Sequence, residues 1–256
     1  MSEEAAVLYR VEDGVAWLEI NRPDSRNALS QAVREGLWDG FRRFNDDADA
    51  QVLILTAAGD KAFCAGGDLK EMATNALTIP PPDFLPYPGR NIEVTKPLIA
   101  AVNGVAYAGG FLLAQLCDLV IAADTAVFAI TEAKVGRGTP WAAPLPNLIP
   151  PRVAMELLLT GTPISAQRAY EVGLVNKVVP LAELRTTALE MAQTIAANAP
   201  LSVRAAKALV HAAAELPQQA AWDEGDRLFE SVYLSADAQE GPQAFREKRA
   251  PNWKGR

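Results

Sequence analysis

Histidine is almost missing from this chain: His211 is the only one in 256 residues. A Ser-His-Asp or Cys-His site needs an imidazole beside its nucleophile. His211 lies instead in an alanine-rich helical run over residues 203–216, far from any glycine-rich segment, and reads as a surface or helix-packing residue. Cysteine is nearly as scarce. Cys64 and Cys117 do not make a disulfide framework and read as free thiols in a reducing compartment. With no CxxC pair and no histidine cluster, a zinc-type donor set is missing, so no metal is expected. Positive charge is in deficit, 24 Lys and Arg against 31 Asp and Glu, for a net charge of −7. That balance opposes general binding to nucleic acid or to a membrane surface. Any anionic ligand must be held by local donors. Residues 97–117 carry no charge and have the length of a membrane span, but Asn103, Gln115 and several glycines interrupt them; the expectation is a buried strand followed by a buried helix. Met1-Ser2-Glu3-Glu4-Ala5 lacks the layout of a secretion signal, and a cytoplasmic setting is expected. Chemistry is left to carboxylates, backbone dipoles and hydroxyls.

What is present is ordinary globular material, half apolar and a fifth charged, enough for a sizeable core. Residues 7–11 and 15–20 are strand-like, and Glu12-Asp13-Gly14 between them is a hairpin turn. Ser30 can cap a helix that places Val33, Leu37, Phe41 and Phe44 on one face. Strands are expected over 52–56, 98–102, 119–123, 126–130 and 175–179. Helices are expected over 68–72, 108–117, 153–160 and 165–172, the last two stopped by Gly161 and Gly173. Residues 58–67 read as a loop. Residues 74–90, with five prolines, read as a surface loop. From Leu181 to about Arg249 the chain reads as nearly all helical. The implied organisation is an α/β core over residues 1–195 and a helical region over 196–256.

Two segments share a layout of strand, small residues and helix start: Phe63-Cys64-Ala65-Gly66-Gly67-Asp68-Leu69 and Asn103-Gly104-Val105-Ala106-Tyr107-Ala108-Gly109-Gly110-Phe111. Small residues let backbone approach a ligand closely, and a helix start offers unpaired N–H groups with partial positive charge. Two such ends facing each other would form an oxyanion hole; the plainer reading is tight turns with close packing.

These residues carry a family resemblance. Asn21-Arg22-Pro23 with Asn27-Ala28-Leu29, the run from Lys61 to Met72, Lys96-Pro97 through Cys117-Asp118, the stretch 156–161, Ala169 with Gly173-Leu174-Val175-Asn176, and the ending 247–253 resemble the crotonase (enoyl-CoA hydratase/isomerase) superfamily, in order and along essentially the whole chain. The resemblance implies a spiral of ββα units, a helical C-terminal region that trimerises, and a homotrimer or homohexamer. It places the oxyanion N–H donors at Gly67 and Gly109. It places coenzyme A contacts at Arg26, Ala28, Ala65, Gly66, Asp68 and Leu69, with Lys70 and Lys254 as phosphate contacts or plain surface charges. It implies an acyl-CoA thioester as substrate, with coenzyme A entering only as part of it and no redox cofactor.

In hydratases of the family two glutamates move protons. One lies three residues past the second oxyanion glycine, where this chain has Leu112; the other matches Glu132. One carboxylate suits movement of a proton between C2 and C4 of an enoyl-CoA, as in the family's isomerases. Hydration or hydratase-lyase chemistry with a single glutamate stays open, as does a non-catalytic CoA-binding scaffold. After Glu132 the chain departs from the usual glycine-rich stretch with Gly136-Arg137-Gly138-Thr139-Pro140-Trp141. Trp141 either shapes the acyl pocket, together with Leu112, Phe84 and Tyr87, or packs in the helical layer.

Overall fold

The computed structural model describes residues 5–74 and 78–256, with the backbone alone at Leu69 and Lys70. The candidate contacts assigned to those two side chains therefore lie outside the described residues, as do positions 75–77 of the proline-rich segment.

The chain opens with an antiparallel hairpin, β1 (Val7–Glu12) and β2 (Val15–Ile20), turning through Asp13 and Gly14, both at positive φ. A short 3-10 turn, Pro23–Ser25, leads to α1 (Gln31–Asp46). The Ser30 hydroxyl accepts the Val33 N–H at its start, and Val33, Leu37, Phe41 and Phe44 are buried. Three coils then repeat one plan, each a long strand, a short strand and a helical segment. The first is β3 (Val52–Ala57), β4 (Ala62–Cys64) and α2 (Leu69–Thr74). The second is β5 (Leu98–Val102), β6 (Val105–Tyr107) and α3 (Gly109–Gln115). The third is β7 (Leu119–Ala123) and β8 (Val127–Ala129), followed by 3-10 turns at Glu132–Val135 and Pro140–Ala142, then α4 (Leu145–Leu148) and α5 (Pro151–Thr160). The chain continues through β9 (Ile164–Ser165), α6 (Ala166–Glu171), β10 (Lys177–Val179), α7 (Leu184–Ala196), α8 (Pro200–Glu215), α9 (Gln218–Tyr233) and α10 (Ala236–Glu247).

Stacking the coils produces two sheets. The larger has the order β1-β2-β3-β5-β7-β10, and the smaller β4-β6-β8-β9. From β2 onward the large sheet is parallel. Its central strands β3 and β5 are buried along their whole length, as the continuous runs Val-Leu-Ile-Leu-Thr-Ala and Leu-Ile-Ala-Ala-Val require of strands covered on both faces. Helix α7 packs on it through Leu184, Ala188 and Ala192. Helices α8 and α9 pack on one another; α8 buries only Ala205 and α9 only Ala221.

The small sheet corrects two expectations. Residues 58–67 are not all loop, because β4 lies within them, and the uncharged run 97–117 holds two strands rather than one. The proline-rich segment is a loop but not simply a surface one. Asn91 gathers the carbonyls of Pro82 and Leu85 at 2.9 Å each and takes the Tyr87 N–H on Oδ1, which buries Leu85. Among the described residues no helix is long and apolar enough to cross a membrane.

Candidate active site

The site is built where three neighbouring strands of the small sheet end. β4, β6 and β8 are parallel, with Cys64 beside Ala106 and Tyr107 beside Ala129. Strand β4 runs into Ala65-Gly66-Gly67, β6 into Ala108-Gly109-Gly110, and β8 into Ile130-Thr131-Glu132. Parallel pairing brings the three turns to one edge.

The two glycine turns touch. A Cβ on Gly66 would stand 2.9 Å from the Ala108 Cβ and 3.7 Å from the Gly109 nitrogen; a Cβ on Gly109 would stand 3.9 Å from the Gly66 Cα. Gly66 sits at φ +97, a conformation that favours glycine. Gly109 is the first residue of α3, so its N–H has no acceptor within the helix. Ala108 before it is held at φ +51 although it carries a side chain, a strain of about 1–2 kcal/mol. Its N–H donates to the Ala129 carbonyl at 2.9 Å, which fastens the second turn to the third strand.

Leu29 joins the two turns, and the sequence did not single it out for this. Its N–H donates to the Gly66 carbonyl at 2.9 Å, its backbone bridges Gly67, and its Cδ1 would lie 2.4 Å from a Cβ on Gly109. Two buried asparagines hold the loop before β4. Asn27 Nδ2 donates to the carbonyls of Ala58 and Ala62 at 3.0 and 2.7 Å, and Asn103 Nδ2 to Gly59 at 2.7 Å. The available signal was an asparagine beside turn residues in both motifs.

The residues matched to coenzyme A contacts gather beside the first turn. The Ala65 N–H donates to the Arg26 carbonyl at 3.1 Å, the Ala28 N–H to Ser25, and Arg22 lies 3.6 Å from Asp68. Asp68 Oδ1 accepts the Glu71 N–H at the start of α2. Lys254 is placed elsewhere in the single chain. Its backbone N–H donates to Asp237 of α10, and neighbouring Trp253 donates to the Ala197 carbonyl.

Glu132 is 8% exposed. Its Oε1 accepts the Trp141 indole N–H at 3.2 Å, and its buried Oε2 has no hydrogen-bond partner among the described residues. Burial pushes its carboxyl above the ordinary range, while nearby backbone N–H groups and the Trp141 indole pull the other way without cancelling the effect. The Tyr87 hydroxyl lies within electrostatic reach of Glu132, and burial raises its pKa. Phe84 is turned toward α1 instead, with the Arg34 guanidinium 4.3 Å from its ring centre. Leu112 is fully within the core. Trp141 packs near Phe111, with ring centres 6.1 Å apart, and it also donates its indole N–H to the carboxylate, a contact that neither role expected from the sequence describes.

Fold and site define a class: a ββα-spiral protein whose two glycine turns and one buried carboxylate sit on consecutive coils. Comparison with known proteins is specific. The model of the enoyl-CoA hydratase/isomerase family matches residues 10–256. A carnitinyl-CoA dehydratase of Salmonella typhi is 40% identical over 253 residues, covering 93% of this chain and 94% of that one. A probable enoyl-CoA hydratase/isomerase from Mycobacterium abscessus superposes with a TM-score of 0.89 at 40% identity, over 99% of this chain and all of that one. An enoyl-CoA hydratase from Mycobacterium tuberculosis H37Rv gives 0.91 at 38% identity, with the same coverage. This chain belongs to the enoyl-CoA hydratase/isomerase family of the crotonase superfamily, and is an enzyme of that type.

Proposed function

We propose that the enzyme binds an enoyl-CoA thioester, holds its carbonyl oxygen on the N–H groups of Gly67 and Gly109, and moves a proton between C2 and C4 with Glu132. The observation that carries this reading is the single carboxylate. Glu132 opens the 3-10 turn that follows β8, at the sheet edge that carries the two glycine turns, whereas position 112 on α3 is a buried leucine. Polarising the thioester carbonyl acidifies the carbon that loses the proton, and each oxyanion donor is worth about 3–4 kcal/mol in the transition state. Glu132 removes that proton as a carboxylate, the negative charge passes onto the thioester oxygen, and the resulting carboxylic acid returns the proton to the other carbon. One group that reaches both carbons suffices, and a carboxyl whose burial raises its pKa toward neutrality suits both steps. The coenzyme A moiety lies along Arg26, Ala28, Ala65, Gly66 and Asp68.

A second reading, hydration or dehydration with one glutamate, is favoured by the names of the relatives, a carnitinyl-CoA dehydratase and an enoyl-CoA hydratase. A panel of 2-enoyl- and 3-enoyl-CoA thioesters, followed by mass and NMR, separates the two. The expected product has a shifted double bond and unchanged mass; gain or loss of one water establishes the second reading. Glu132→Gln is expected to lower the rate by about 10²-fold or more. Equal rates for that variant and the wild type on every active substrate would remove Glu132 from the mechanism.

The same proposal extends to assembly. Val210, Trp222, Tyr233, Leu234 and Phe245 of the C-terminal region are all exposed in the single chain. We infer that copies of this chain cover them in a homotrimer or a pair of trimers, which sedimentation of the purified protein measures directly.

A further inference from the structure

Helix α3 carries Gly109 at its first residue and Gln115 at its last. Gln115 is buried, and its Nε2 donates to the main-chain carbonyl of Trp141 at 3.2 Å. Trp141 donates its indole N–H to Glu132 Oε1 at 3.2 Å. Its ring also packs near Phe111 of α3, which meets Phe128 of β8 edge-on with ring centres 6.3 Å apart. The element bearing the second glycine turn thus grips the residue that grips the carboxylate.

An indole N–H can donate but cannot accept. When Glu132 is protonated, its hydrogen therefore belongs on the other oxygen, and that oxygen, Oε2, is buried and has no partner among the described residues. We propose that Trp141 is a positioning residue for Glu132: by holding Oε1 it assigns proton exchange with the substrate to Oε2. The inference rests on Glu132 being the acid/base. Two consequences separate it from a role as pocket wall. A donor that serves only one oxygen favours the ionised carboxyl, so its removal raises the midpoint at which Glu132 titrates. It also fixes the carboxyl plane, so its removal affects turnover more than binding.

The test follows the Glu132 carboxyl by infrared difference spectroscopy across pH in the free enzyme, with Glu132→Gln as the blank. Trp141 is replaced by Phe and, separately, by 3-benzothienylalanine, which keeps the bicyclic shape and has sulfur in place of N–H. The expected result is a midpoint raised by about one pH unit in both proteins. On the best thioester of the panel, kcat falls about tenfold while KM and acyl-length preference stay near the wild type. An unchanged midpoint in the benzothienyl protein overturns the proposal, as does a changed acyl preference with unchanged kcat. A fully active Glu132→Gln protein would instead overturn the acid/base reading, so the two failures are distinguishable.

Discussion

Gly110 faces the carbonyl of Cys64 with no room for a side chain: a Cβ there would stand 2.1 Å from the oxygen and 2.9 Å from the carbonyl carbon. The obstacle is backbone at the end of β4, so no rotamer change relieves it. The start of α3 and the end of β4 are therefore seated against each other, one residue after Gly109 and three residues before Gly67.

Gly110→Ala should separate these two backbones. A cost of about 3 kcal/mol is expected, which for a chain of this size lowers Tm by roughly 10 °C. Gly136→Ala is the matched control. It meets open space, and its only burden is a φ of +66, so it should cost about 1 kcal/mol. Calorimetric melts of the two variants check the contrast, and equal Tm values would contradict it.

Leu112→Glu restores the second carboxylate found in two-glutamate hydratases. Leu112 is 1% exposed, so the new group is buried without an evident partner and should destabilise the fold by about 3 kcal/mol or more. In the folded fraction, hydration of a 2-enoyl-CoA should rise relative to double-bond migration. An unchanged product ratio in a folded variant argues that position 112 does not reach the reacting carbons.

Glu132 should weaken the fold in its ionised form. Its folded-state pKa is raised, mainly by burial, so the native state holds the proton to higher pH than the unfolded chain does. Stability then falls as pH rises from the ordinary carboxylate range through the raised value, and stays lower above it. Glu132→Gln does not titrate there. It should match the wild type at acidic pH and melt higher at neutral pH, and melts across pH that show no such divergence count against the burial account.

Asp118 behaves in the opposite sense. Burial alone would raise its pKa, but contacts with His211 and Lys207 and the Leu98 N–H outweigh burial and hold it below the usual aspartate range. Lys207 lies 2.9 Å away and His211 3.3 Å away, both on α8. A depressed folded pKa gives stability that is present above the unfolded value and lost as pH falls through the folded one. Asp118→Asn should cost about 2 kcal/mol at neutral pH, and the gap should close in acid. Denaturant unfolding at a series of pH values measures it.

Much of this architecture was legible from local signals. The Asp13-Gly14 turn fixed the first hairpin, the Ser30 cap fixed α1, and unbroken apolar runs fixed β3 and β5. Of the small sheet only β8 was legible, as the strand expected over 126–130; β4 and β6 have three residues each, too few for a period, and their partners lie far along the chain. The glycine turns were visible as helix starts, but the wedge at Leu29 was not, since nothing local marks a leucine that pairs with residue 67 and packs on residue 109. The contact between Trp141 and Glu132 was hidden similarly, because the stretch between them passes through two 3-10 turns and a proline. Asn91 made the proline-rich segment ordered through contacts that follow no repeat.

The edge shared by β4, β6 and β8 has a consequence for how such a catalyst diversifies. Adjacent strands stand about 4.8 Å apart in any sheet, so the spacing of the two glycine turns is inherited from the ladder and is hard to alter piecemeal. The third strand feeds a stretch with no such restraint, residues 132–144, made of short turns. The scaffold thus separates an anchorage set by the sheet from a cassette of turns that the sheet does not constrain. Grafting that cassette between relatives would carry over the proton chemistry and leave the anchorage in place.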